Sequence, residues 1–284
     1  MNAFESPIMQ GSSSATVMSR QAQLSVEDGA LTLLIDEPVS PARATVICLH
    51  GWTLDSRSFE AQRGLAEQGI RWVRFDRRGF GANDLSPDFD QELSDLSAVI
   101  DVFEGGIYLY GVSQGGRLAL RYMVENGGRL AGAILQGSHV EGLPVEEQPG
   151  DGIPLDEYTQ LIASGQIAAF RETWLNHPLV SGGATPEQRD GMAVLIDRYT
   201  GQDLLVPNSR GSSVPVWPEL SKWDKPLLVI SGSAEVASRR EHASVLRTLP
   251  TCKEVIIEGG GHLCNVTHAE AVNNALLEWL ETLA

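Results

Sequence analysis

The chain of 284 residues predicts an α/β fold: a mostly parallel eight-stranded sheet with helices on both faces. Three observations lead there. Runs such as Ala44–Leu49 and residues 227–230 are apolar without interruption and rich in β-branched residues, the pattern of strands covered on both faces. These runs alternate with segments of helical periodicity, the alternation that builds a parallel sheet. One run leads into Gly111-Val112-Ser113-Gln114-Gly115, a G-x-S-x-G sequence placed where strand turns to helix.

Residues 21–27 and 30–36 are expected to pair as a hairpin around Asp28-Gly29. Before them, residues 1–20 are polar with a Gly-Ser-Ser-Ser run. They read as a flexible tail and lack the basic and apolar stretches of a secretory signal. The strand Ala44–Leu49 runs into His50-Gly51-Trp52, and Asp55 or Ser56 caps a helix closed by Gly69. A strand at 71–75 precedes the loop Asp76-Arg77-Arg78-Gly79-Phe80-Gly81. Residues 93–103 form a helix with Leu93, Leu96, Ile100 and Phe103 on one face. Leu118, Ala119, Tyr122 and Met123 mark the helix after Ser113, and 130–135 is the next strand.

From Leu143 the texture changes. Pro144, Pro149, Gly150, Gly152 and Pro154 make a loop, and helical patterns fill 155–164, 167–175 and 186–200. Residues 215–218, with a proline at each end, read as a rigid connector. Residues 143–222 are thus expected to be a helical cap inserted into a core made of 21–142 and 223–284. The strand rhythm resumes at 227–230, followed by a helix over 239–249 and a strand at 254–257. The chain then runs through Gly259-Gly260-Gly261-His262 to a last helix at 269–283 capped by Thr267.

Composition excludes several functions. The formal net charge of −16 argues against nucleic acid and anionic membranes as partners. No stretch is long and apolar enough to span a bilayer. Three cysteines, Cys48, Cys252 and Cys264, make neither a disulfide framework nor a zinc pattern. They fit a reducing, cytoplasmic setting. No metal site and no cofactor are expected.

Three polar residues stand just past the ends of strands: Ser113, Glu235 and His262. The C-terminal ends of parallel strands share one edge of a sheet, where sites form. A serine hydroxyl needs a base to take its proton, and imidazole both takes a proton and returns it. A carboxylate on the far ring nitrogen fixes the tautomer and stabilises the imidazolium. His262 is the expected base and Glu235 the expected acid, with Glu141 after the 130–135 strand as the rival acid. The backbone N–H groups of Gln114 and Trp52 are expected to hold an oxyanion. His50 is expected to brace its loop. His177 is a possible pocket residue of the insertion, whereas His139 sits on an irregular segment and His242 and His268 fall on exposed helix positions.

Together, His50-Gly51-Trp52, Asp76-Arg77-Arg78-Gly79-Phe80-Gly81, the G-x-S-x-G segment, Gly232-Ser233-Ala234-Glu235 and Gly260-Gly261-His262 resemble the α/β-hydrolase superfamily in its lidded branch. The order serine, acid, histidine is that of the family. The family usually has Asp where this chain has Glu235. The resemblance implies an eight-stranded hydrolase core, a cap over the site formed by residues such as Tyr158, Phe170, Trp174 and Trp217, and an Asp-Arg-Arg-Gly loop that is architectural. It also implies a serine hydrolase that cleaves a small or medium carboxylic ester, lactone or thioester through an acyl-enzyme on Ser113. Hydrolysis of a C–C bond in a diketone and amide or aminopeptidase-type cleavage use the same residues, the latter with Glu141, Glu146 and Glu147 as candidates for binding an amine. A non-catalytic ligand-binding module is the reading from a different class.

Overall fold

The computed structural model describes residues 17–145 and 150–283. Eight strands form one sheet: β1 (Val17–Val26), β2 (Gly29–Pro38), β3 (Ala44–Leu49), β4 (Ile70–Arg74), β5 (Ile107–Val112), β6 (Gly132–Gln136), β7 (Leu227–Gly232) and β8 (Cys252–Ile257). Their spatial order is β1-β2-β4-β3-β5-β6-β7-β8. The pairs β1–β2 and β2–β4 are antiparallel, and every other neighbouring pair is parallel. The hairpin begins earlier than expected, because Val17–Arg20 continue β1 against residues 35–38. Side chains reward this extension: Ser19 Oγ donates to Asp36 and Arg20 pairs with Glu37. The rest of the expected tail, residues 1–16, and Glu146 and Glu147 lie outside the described residues.

Alternation along the strands builds two cores. Ile47, Leu49 and Leu109 point into one apolar layer, and Val46, Cys48, Tyr108 and Tyr110 into the other, as the two-residue repeat of a strand requires. On the first side lie α1 (Phe89–Asp101) and α2 (Gln114–Asn126). Helix α1 starts four residues before the expected Leu93, because Asp88 caps it by accepting from the N–H groups of Asp90 and Gln91. Ser56–Gln68 is a 3-10 helix between Asp55 and Gly69. Its two serines and Gly64 favour α-helix weakly, and distant bonds hold it, among them Asn273 Nδ2 to the Ala61 carbonyl.

Between β6 and β7 come α3 (Leu155–Ala163), α4 (Ile167–Leu175), α5 (Pro178–Ser181), α6 (Pro186–Ile196), α7 (Gln202–Leu205) and α8 (Trp217–Leu220). The expected connector at 215–218 is thus partly helical. After β7 come α9 (Ala237–Leu246), then β8, α10 (Cys264–Thr267) and α11 (Ala269–Glu281). Thr267 does not cap the last helix. It ends α10, its hydroxyl turned back to the Leu263 carbonyl, and His268 takes the capping position. Among the described residues, no helix is long and apolar enough to cross a membrane, and no cluster of His, Cys, Asp and Glu suits a metal ion.

Candidate active site

Ser113 lies between β5 and α2 with φ of 54° and ψ of −114°. A non-glycine residue in that region is strained and persists only where its surroundings over-determine it. Those surroundings admit no side chains. A Cβ on Gly111 would lie 2.6 Å from the Gly115 carbonyl oxygen, and one on Gly115 would lie 2.0 Å from the Leu49 carbonyl oxygen. The Ser113 N–H donates to the Gln136 carbonyl, and its own carbonyl accepts from Arg117. Gln114 opens α2, where first-turn N–H groups have no acceptor within the helix.

His262 and Glu235 meet. His262 Nδ1 lies 2.7 Å from Glu235 Oε2, so in the neutral imidazole Nδ1 carries the proton and Nε2 keeps its lone pair. Glu235 Oε1 accepts from the Val236 N–H at 2.8 Å, and both residues are buried. His262 Nε2 is buried without a hydrogen-bond partner among the described residues. The pair sits on Gly137, whose φ is +58°. A Cβ there would come within 2.5 Å of His262 Nδ1 and 3.0 Å of Glu235 Oε2. Gln136, which sequence reading did not single out, holds the same loop: its Nε2 donates to the His262 carbonyl and to Asn265 Oδ1, each at 2.9 Å. A glutamine ending a strand carries no local mark of that role.

Glu141 is elsewhere. Its carboxylate is buried against Arg117 Nη2 at 3.1 Å, and its backbone carbonyl accepts from Val216. His50 braces its loop. Its Nδ1–H donates to the Gly51 carbonyl and its Nε2 accepts from the Arg77 N–H. Burial, then the Arg77 charge, push its pKa down to about 4, so it stays neutral. Arg77 ties both sides of the expected oxyanion hole by donating to the His50 carbonyl and to Gln114 Oε1. It is neutralised by buried Glu92, with Nη2 at 2.7 Å. The Asp-Arg-Arg-Gly loop is therefore architectural, and Arg78 likewise pairs with buried Asp95.

Ser113, His262, Trp52 and Thr53 line one cavity, walled by Ile153, Trp174, Leu179, Val180 and Leu263. Its volume is about 20 Å³, room for about one water molecule. His262 is its only ionisable lining side chain among the described residues. Of the insertion's expected aromatics, Trp174 reaches the cavity, Tyr158 and Phe170 pack round Trp52, and Trp217 joins the opposite apolar layer. His177 is not among the lining side chains. It caps α5 through Nδ1, and its Nε2 donates to the Gly152 carbonyl.

His242 departs from expectation, being 1% exposed. Helix α9 turns it against the segment after β6, where its ring meets His139 at 4.5 Å and its Nδ1 accepts from the Val140 N–H. Burial first, then His139 and Arg239, push its pKa down to about 3. An unfolded histidine binds its proton near pH 6.5, so between these values the unfolded state holds more protons and stability falls as pH falls. His50 acts in the same sense between about 6.5 and 4. The urea midpoint should drop from pH 7 to pH 5, and His242→Gln should shrink that drop. An unchanged pH slope in the variant would place the proton uptake elsewhere.

Residues 46–275 match the model of the Alpha/beta hydrolase family. The chain belongs to the alpha/beta hydrolase family. A Bacillus subtilis (strain 168) protein provisionally assigned as a 2-succinyl-6-hydroxy-2,4-cyclohexadiene-1-carboxylate synthase is 24% identical over 272 residues, 92% of this chain and 98% of that protein. The non-heme chloroperoxidase of Streptomyces lividans is 27% identical over 259 residues, 84% of this chain and 91% of its own length. Among solved structures, a thermophilic esterase from Thermogutta terrifontis superposes with a TM-score of 0.74 at 21% identity, over 92% of this chain and 98% of that one. That likeness is one of fold. For this hydrolase-family chain, the choice of bond cleaved rests on the site itself.

Proposed function

We propose that this alpha/beta hydrolase is a serine esterase acting on a small, uncharged carboxylic ester through an acyl-enzyme on Ser113. The observation that carries this reading is the His262–Glu235 pair beside Ser113: both His262 and Ser113 line one cavity, and His262 Nε2 has no hydrogen-bond partner among the described residues. Ser113 Oγ attacks the ester carbonyl carbon as its proton passes to His262 Nε2. Glu235 stabilises the imidazolium. The N–H groups of Trp52 and Gln114 hold the oxyanion. The C–O bond then breaks and the leaving alcohol takes the proton from His262. Water, deprotonated by the same nitrogen, releases the acid from Ser113 and restores its hydroxyl.

The apolar walls support the substrate class. The Bacillus subtilis relative is named for a product that bears a carboxylate. Recognition of such a group calls for a cation or a set of donors, and no Lys or Arg lines this cavity among the described residues. The insertion would act as a cap that shifts to admit the substrate, and a short acyl chain is the one that asks for the smallest shift. For p-nitrophenyl esters from acetate to decanoate, kcat/KM should peak at six carbons or fewer and fall by about tenfold or more at decanoate, since each methylene in a pocket is worth roughly 1 kcal/mol or more. An optimum at decanoate would contradict the short-acyl reading, and turnover of carboxylate-bearing esters alone would contradict the uncharged one.

A further inference from the structure

We infer that Asp203, on α7, is a positioning residue that fixes the oxyanion donor Trp52 from the helical insertion; this rests on the esterase reading above. The Trp52 indole N–H donates to Asp203 Oδ2 at 2.8 Å. The Tyr199 hydroxyl donates to Asp203 Oδ1 at 2.6 Å, so both carboxylate oxygens are in use. The indole is also enclosed by rings of the insertion: Trp174 at 4.8 Å, Tyr199 at 5.7 Å, Phe170 at 5.9 Å and Tyr158 at 6.2 Å between centroids. It cannot turn without losing the carboxylate and these contacts together.

The next residue is held from the same side. Thr53 has φ of 64°, a region β-branched residues rarely occupy. Its hydroxyl oxygen accepts from Trp174 Nε1 at 2.7 Å. The insertion thus grips two consecutive residues of the loop whose backbone is to meet the oxyanion. Such donors help only when aimed before charge develops. Asp203 is an expensive choice for a packing role. It is 3% exposed, and burial raises its pKa although the Tyr199 and Trp52 bonds oppose this. An apolar side chain would fill the space at lower cost.

The test compares wild type, Asp203→Leu, Asp203→Asn and Trp52→Phe on p-nitrophenyl butyrate, with circular dichroism and melting as checks of folding. Asparagine still offers an oxygen to the indole and an amide to the Tyr199 oxygen, so it should stay within about fivefold of wild type. Asp203→Leu should lower kcat by about 10²-fold, the scale of one lost oxyanion donor, with KM within about threefold. Its affinity for a trifluoromethyl ketone, which binds serine as an oxyanion-bearing hemiketal, should fall in parallel, while inhibition by butyrate stays constant. If Asp203→Leu does not fold, Trp52→Phe carries the test, because it keeps an aromatic ring in the same surroundings and removes the donor to Asp203; its kcat should fall tenfold or more. Unchanged kcat in the folded variants, a rise in KM alone, or a loss that asparagine does not rescue with ketone affinity intact would overturn the inference. A wild-type enzyme that neither turns over the ester nor reacts with a serine-directed phosphonate would instead sink the esterase reading, and this inference with it. If it reacts with the phosphonate alone, the rate of that reaction replaces kcat in the same comparison.

Discussion

Ser113→Ala is expected to lower kcat/KM for a short p-nitrophenyl ester by on the order of 10⁵-fold or more, the scale on which serine hydrolases lose activity with their nucleophile. Its melting temperature should stay close to wild type. The large effect follows from chemistry: without Oγ no acyl-enzyme forms, and what remains is the contribution of binding and of the oxyanion donors. The small effect on stability follows from packing. The elbow is set by the glycines at 111, 115 and 116, where a Cβ would come within 3 Å of neighbouring atoms, and by the Ser113 backbone bonds to Gln136 and Arg117. Alanine leaves all of these in place. A variant that keeps a tenth of the wild-type rate would mean that another group attacks the carbonyl.

Glu235→Gln should cost on the order of 10³- to 10⁴-fold in kcat, whereas Glu141→Gln should cost less than about fivefold. Both carboxylates are buried and follow strands at the same edge of the sheet, so burial alone does not separate them. Partners do. Glu235 accepts from His262 Nδ1 at 2.7 Å, and glutamine can turn its amide N–H toward that nitrogen, favouring the tautomer whose Nε2 cannot take a proton. Glu141 faces Arg117, so its replacement weakens an ion pair near α2 and should lower the melting temperature more than the rate. The reverse ranking in kcat would move the acid to the segment after β6.

Much of this arrangement was legible in the sequence, for reasons that are local. An uninterrupted apolar run marks a buried strand, and Gly111 and Gly115 mark a turn too tight for side chains. A polar residue just past a strand lies at the shared edge whatever the rest of the chain does. Ser113, Glu235 and His262 all carried such marks. What stayed hidden depends on tertiary partners. The strand extension Val17–Arg20 is supported by Asp36 and Glu37, which lie across the hairpin. The early start of α1 depends on an Asp88 cap that resembles any loop aspartate. His242 looked exposed because its neighbours on α9 are polar, yet that face meets His139. Within the insertion, periodicity marked helices without saying which aromatic rings face the site, and only the packed structure separates Trp174 at the cavity from Tyr158 and Phe170 around Trp52. Asp203 lies 151 positions from the indole it holds, beyond any local pattern.

Mass spectrometry after reaction with a serine-directed p-nitrophenyl phosphonate tests the covalent intermediate on Ser113 most directly. One phosphonyl group per chain is predicted, on the peptide that contains Ser113, with one equivalent of p-nitrophenol released, loss of esterase activity in step, and no adduct in Ser113→Ala. Ester hydrolysis that survives full exposure to the reagent, or an adduct on any other residue, would contradict it.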